Sequence, residues 1–142
     1  MLMSKKTIEE HFNVYEQLLE IINVQNMELF QLKTNWCNLT SVRYDDIKVQ
    51  GGKQFDIADQ LQYIIEKEEQ LKELIKRKND LRKQHEQEIE QLSDSKYRTI
   101  LKLYYLDKCT VRQIAGCLHI SDGHVLKLKR YAINEFLSLL DD

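Results

Sequence analysis

Apolar positions recur at helical spacings along nearly the whole chain. From residue 1 to 38, Ile8, Phe12, Tyr15, Leu19, Ile22, Asn26, Leu29, Lys33 and Trp36 follow alternating steps of four and three. That spacing predicts one long helix carrying a heptad seam, with Asn26 as a polar insertion and Lys33 as a break. Leu18, Ile21 and Leu32 widen the stripe, so packing in a bundle against more than one neighbour is expected. A dimeric coiled coil is the alternative, because a seam asparagine can fix register. Residues 39–56 lose the period, and Gly51-Gly52 reads as a turn. A second helix is expected from Phe55 or Asp56 to Leu92, with Ile57, Leu61, Ile64, Leu71 and Ile75 on one seam and Leu74 and Leu81 on a neighbouring one. Beyond Ile75 its surface is highly charged, with KRKNDLRKQHEQEIEQ almost bare of apolar residues, which reads as a solvated face. The two helices are expected to pair antiparallel as a hairpin.

The remaining third switches to short helices with clear starts. Ser93-Asp94-Ser95 opens one whose core stripe is Tyr97, Ile100, Leu101 and Tyr104, and Leu106 to Cys109 link it to Thr110. Thr110 can cap a helix with Val111, Ile114, Ala115 and Leu118 at i, i+3, i+4 and i+7. Leu118-His119-Ile120 is a turn with two apolar plugs. Ser121 and Asp122 supply a hydroxyl cap and an acidic first turn, after which Val125, Leu128, Ala132 and Phe136 form one buried stripe. Two short helices separated by about three residues have the geometry of a DNA-reading pair.

Rotation by about 100° per residue places Gly123, Lys127, Arg130 and Asn134 opposite that stripe. His124, Leu126 and Tyr131 fall on the flanks, and Lys129 close to the buried side. Lys127 and Arg130 are the best candidates for base edges or groove phosphates, since both residue types pair with guanine O6 and N7. Gly123 removes a side chain where the helix start would press on a duplex backbone. Arg112 lies in a first helical turn, where a cation opposes the helix dipole and a phosphate would relieve the conflict. The candidate DNA-contacting set is therefore Arg112, Ser121, Asp122, Gly123, His124, Lys127, Lys129, Arg130 and Asn134.

The stretch RTILKLYYLDKCTVRQIAGCLHISDGHVLKLKRYAINEFLSLL resembles the promoter-reading helix-turn-helix of the sigma-70 class, which binds the −35 element. The resemblance runs from Ser93 to the last residue and implies that Ser121 to Arg130 form the recognition helix. Leu126 and Leu128 stand where that family more often has polar or basic residues, so the helix carries fewer cations than usual. Upstream, a long helix, the loop SVRYDDIKVQGGKQFD and a charged second helix are similar to a family of small proteins from phages and mobile elements of Gram-positive bacteria. That resemblance implies regulation of late or packaging-gene transcription.

Charge and composition limit the remaining classes. The chain has no proline and only four glycines, which permits long uninterrupted helices. Its net charge of −2 divides unevenly: eight Lys/Arg face six Asp/Glu from Ser93 onward, leaving 13 against 17 upstream. So small a basic excess gives weak, salt-sensitive DNA binding by a monomer, and a second copy or a partner is implied. No run of about 18 apolar residues occurs, so no membrane span is expected. MLMSKKTIEE lacks a signal peptide's apolar core, and three cysteines fit a reducing compartment. A bacterial or phage-infected cytoplasm is the expected location.

Catalytic chemistry is not evident. Gly51-Gly52-Lys53 lacks phosphate-loop spacing, with Gln54 where Ser or Thr is required. Asn38-Leu39-Thr40 matches a glycosylation acceptor, which has no meaning in a cytosolic chain. Asp45-Asp46 and Glu68-Glu69 sit in a loop and on a charged helix. His11, His85, His119 and His124 are scattered, and Cys109 and Cys117 are too far apart for a structural zinc pair, so Cys117 is expected to pack. No enzyme activity, metal or cofactor is expected. The sequence reads as an all-α protein: a helical hairpin over residues 1–92, for self-association or partner contact, followed by a tri-helical helix-turn-helix domain over 93–142. The expected function is sequence-specific transcription regulation, with helix 122–140 in the major groove. Double-stranded DNA, RNA polymerase and a second copy are the candidate partners. A small-terminase-like packaging component, which would assemble as a ring, and a protein-binding adaptor are the alternatives.

Overall fold

The computed structural model describes the backbone of residues 7–43 and 51–141, and the side chains of 7–37 and 57–141. The described residues are all-α, without strands. In chain order they form α1 (Ile8–His11), α2 (Asn13–Arg43), α3 (Gly51–Ile89), α4 (Ser95–Leu101), a π-helical turn over Lys102–Leu106, α5 (Val111–Leu118) and α6 (Asp122–Asp141).

The long helices differ from the expectation at their ends. Instead of one helix over residues 1–38 there are two. Thr7 caps α1 by accepting from the Glu10 N–H at 3.1 Å, and the backbone departs from helical geometry at Phe12, with φ −95° and ψ 4°. Phe12 is only 2% exposed and held among rings, so its packing outweighs one residue of regular helix. The loop expected over 39–56 is also shorter, because α2 continues to Arg43 and α3 begins at Gly51. Gly51-Gly52 is a helix start rather than a turn, a position where the first N–H groups lack intrahelical partners in any case. Residues 44–50, which hold Asp45-Asp46 and part of the loop motif, lie outside the described residues. At its other end α3 stops at Ile89, and tight bonds from Gln91 N–H to Glu88 O and from Leu92 N–H to Ile89 O turn the chain so that Leu92 is buried.

The chain divides into two compact units, Leu18–Lys78 and Met1–Gln17 with Asn79–Asp142. The division does not follow the expected boundary at residue 92. That junction is tied down: the Ser93 N–H and hydroxyl each donate to the Glu135 carboxylate at 3.0 Å, and Arg98 donates to the Leu92 carbonyl at 2.6 Å.

In the first of these, the hairpin unit, α2 and α3 run antiparallel. Ile22, Leu29, Ile64 and Leu71 form its core, with Leu32, Trp36, Leu74 and Ile75 packed around them. The Trp36 indole donates to the Ile57 carbonyl at 3.3 Å, and Lys33, the break in the seam, meets Glu68 at 3.1 Å. Asn26 is exposed and takes no place in that core.

The helix-turn-helix unit has two adjoining cores. One is the expected set: Ile100, Ile114, Ala115 and Val125, sealed by Val111, Leu118, Ile120 and Leu128. The other is aromatic. Phe12 stacks on Tyr105 at 5.0 Å and on Phe136 at 5.6 Å, and meets His85 edge-on at 4.7 Å. Arg82 binds three groups beside it: the Tyr15 hydroxyl at 3.3 Å, Asp107 at 2.8 Å and Glu86 at 3.5 Å. Residues from both long helices thus belong to the same packed body as α5 and α6.

Candidate nucleic-acid interface

The local sequence fixes both helix starts of the pair. Thr110 and Gln113 form a capping box: the Thr110 hydroxyl accepts from the Gln113 N–H at 3.1 Å, and the Gln113 side chain accepts from the Thr110 N–H at 2.8 Å. The link before it folds back tightly, with the Cys109 N–H donating to the Leu103 carbonyl at 2.9 Å and Lys108 at φ 59°. After α5, His119 adopts a left-handed conformation with φ 58° and ψ 44°, a region histidine enters more readily than most residues. The Ile120 N–H donates to the Ala115 carbonyl at 3.1 Å. The half-buried Leu118 and Ile120 plug the turn from either side, as their positions in the sequence suggest. Ser121 then caps α6, its hydroxyl accepting from the His124 N–H at 3.1 Å.

These constraints set the rotation of α6. Val125, Ala132 and Phe136 are buried, and Gly123, Lys127, Arg130 and Asn134 are exposed on the other side. Among the described residues neither Lys127 nor Arg130 forms an ion pair, so both cations face solvent with their charge available. His124 and Asp122 are exposed beside them. The turn brings Arg112 to the same end, its Nε 3.8 Å from an Asp122 carboxylate oxygen. With the Arg112 side chain 90% exposed, that pair is weak, and a phosphate could replace Asp122 as its partner.

Lys129 is placed differently. Its ammonium lies 3.7 Å from the Tyr104 ring centroid, and the residue is half-buried. A cation over an aromatic face is held by the ring quadrupole, at about 0.5–2 kcal/mol depending on desolvation. Lys129 therefore braces α6 against the π-helical turn and stands apart from the outward set. Cys117, expected to pack, is exposed.

A further polar cluster escaped the sequence reading. The ring nitrogens His11 Nε2 and His85 Nδ1 both donate to one Glu88 oxygen, at 2.7 and 2.8 Å. Burial pushes the Glu88 carboxyl up, but the bonds from His85 and His11 outweigh it and hold the group below the usual carboxylate range. His85 and Glu88 have visible i, i+3 spacing, whereas His11 lies 77 residues from Glu88 and no local pattern links them.

No helix among the described residues is long and apolar enough to cross a membrane. No curated protein and no solved structure matches the chain. A family match does cover residues 38–137, which takes in α3 to α5 and α6 up to its last four residues. The chain belongs to that family, the protein of unknown function DUF1492.

Proposed function

We propose that this protein is a sequence-specific DNA-binding transcription regulator, encoded by a phage or mobile element and acting in the bacterial cytoplasm. In this reading α6 enters the major groove in the manner of the sigma-70 promoter-reading helix. The observation that carries it is the outward face of α6, where Lys127, Arg130, Asn134 and the bare backbone at Gly123 share one exposed side. Arg112, at the start of α5, would meet a backbone phosphate while Lys127 and Arg130 reach base edges. Ser121, Asp122 and His124 line the same entry end, and Lys129 supports the helix from behind. The small basic excess of the region calls for a second copy or RNA polymerase to supply further contacts.

The test uses a binding site selected from random duplex DNA. Lys127→Ala with Arg130→Ala is expected to weaken binding by about 10- to 100-fold or more, since one good base contact is worth about 1–3 kcal/mol. Helicity and unfolding midpoint should stay unchanged, because both side chains are solvated. Full affinity in a folded double variant would sink this docking geometry.

Leu126, 52% exposed, and Tyr131, 46% exposed, favour a second reading in which the same unit docks a protein helix. A failure to retard any duplex at low salt would select it.

A further inference from the structure

We propose that His11, His85 and Glu88 form a binding site for one divalent transition-metal ion, zinc by its donor set, that fastens α1 to the end of α3. The proposal is independent of DNA reading. One ligand atom from each of the three residues lies within 4.8 Å of the others. They also converge on a single point, since the two imidazole nitrogens both address the same Glu88 oxygen at 2.7 and 2.8 Å.

The chemistry of the set selects the ion. Two imidazoles and one carboxylate suit zinc and its late first-row neighbours, while magnesium and calcium prefer oxygen ligands throughout. Zinc binds nitrogen and oxygen at about 2.0–2.2 Å, which sets its ligands roughly 3.3 Å apart. The two carboxylate contacts would therefore open by about half an ångström, and the two imidazole nitrogens, within 4.8 Å of each other, would close towards the same separation by side-chain rotation. Both rings can stay neutral. Each moves its proton to its other nitrogen, freeing the lone pair that faces Glu88, so coordination needs no net loss of protons from the imidazoles.

The surroundings favour a held ion over a passing one. His85 is 3% exposed, and its ring is packed by Phe12 at 4.7 Å and Tyr15 at 6.1 Å. His11 is wedged between Phe12 at 5.1 Å and Phe136 at 5.5 Å. These rings fix the imidazoles and lower the local dielectric, which strengthens the attraction between cation and carboxylate. The His11 and Glu88 side chains keep 14% and 22% of their exposure, which leaves an approach for the ion and room for water as a fourth ligand. Bound there, the ion would join a residue of α1 to two residues of α3 and hold together the aromatic core on which α6 rests.

The experiment titrates zinc into the full chain, reduced and stripped with a chelator, and reads stoichiometry and affinity by calorimetry. One ion per chain is expected, with affinity falling more than about 100-fold in His11→Gln, since loss of even an outer-shell partner costs about 10- to 100-fold. Glutamine at position 11 can still donate to Glu88, so a role confined to hydrogen bonding would survive that change. Glu88→Gln should match it. Because His11 is only half-buried, its variant keeps the test usable should a His85 variant fail to fold. Cobalt in place of zinc separates this site from the thiols of Cys37, Cys109 and Cys117, which form no disulfide. Ligand-field bands without thiolate charge transfer are expected. Equal zinc uptake by His11→Gln, thiolate bands in the cobalt form, or no uptake of micromolar zinc by the unaltered chain would each overturn the proposal.

Discussion

In the hairpin unit, two helices face each other and each can bury only one stripe. Ile22, Leu29, Ile64 and Leu71 are covered, while Ile21, Val24, Phe30, Leu61 and Ile65 remain exposed. In the helix-turn-helix unit, several short elements surround one another, and Ile100, Leu101, Ile114, Val125 and Ala132 lose essentially all contact with solvent. The two regions do not differ in apolar content so much as in the number of directions from which a residue can be covered. A wide stripe needs more than one neighbour, and the hairpin unit offers a single partner helix. Its helices therefore rest on a narrow seam supplemented by polar pairs such as Lys33 with Glu68, each of which adds little at the surface. The helix-turn-helix unit rests on close packing, where deleting one ring leaves a cavity on several sides.

The sharpest way to break this comparison is a matched pair of truncations. Phe136→Ala removes a ring that is 1% exposed and stacked on Phe12, and is expected to cost about 3–5 kcal/mol. Leu71→Ala, at 7% exposure in the narrow seam, should fall toward the low end of the range of about 2–5 kcal/mol for such truncations. Residue-resolved hydrogen exchange should show the first change opening α4 to α6 and the second opening the middle of α2 and α3. Uniform loss of protection in both variants would mean that the units do not unfold separately. A smaller effect is expected at the capping box. Thr110→Ala leaves the Gln113 N–H without its acceptor and should cost about 1 kcal/mol, read as a lower urea midpoint with unchanged slope. Smallest and opposite in sign is Gly116→Ala. A Cβ there meets nothing within 4 Å and the site is helical, so a gain of about 0.5–1 kcal/mol is expected in thermal unfolding. Loss of stability in that variant would contradict the open face assigned to α5.

Local chemistry was legible in the residues. The threonine and serine caps, the stripes through Ile114 and Val125, the two plugs of the turn and the outward face of α6 all depend on spacings of three and four residues. Each is set by one helix turn and its cap, and needs no knowledge of what lies opposite. The widened stripe of α2 was legible too, but not what would cover it.

Only the tertiary structure decided the interruption at Phe12, the partner of Lys129 and the division of the chain. Arg82 reaches Tyr15 across 67 residues of sequence, and Glu88 receives His11 across 77. Such contacts carry no periodic signal, because their energy comes from burial and ring geometry created when distant segments meet. The run from Lys76 to Gln91 shows the limit most clearly. By composition it reads as a solvated face, yet folding turns Arg82, His85, Glu88 and Ile89 inward against rings and carboxylates that the linear pattern does not connect. The sequence by itself determined the helices and the exposed face of α6, since helix formation and capping are settled within a few residues. The packing of the second core belonged to the fold, since only there do those side chains exchange water for one another.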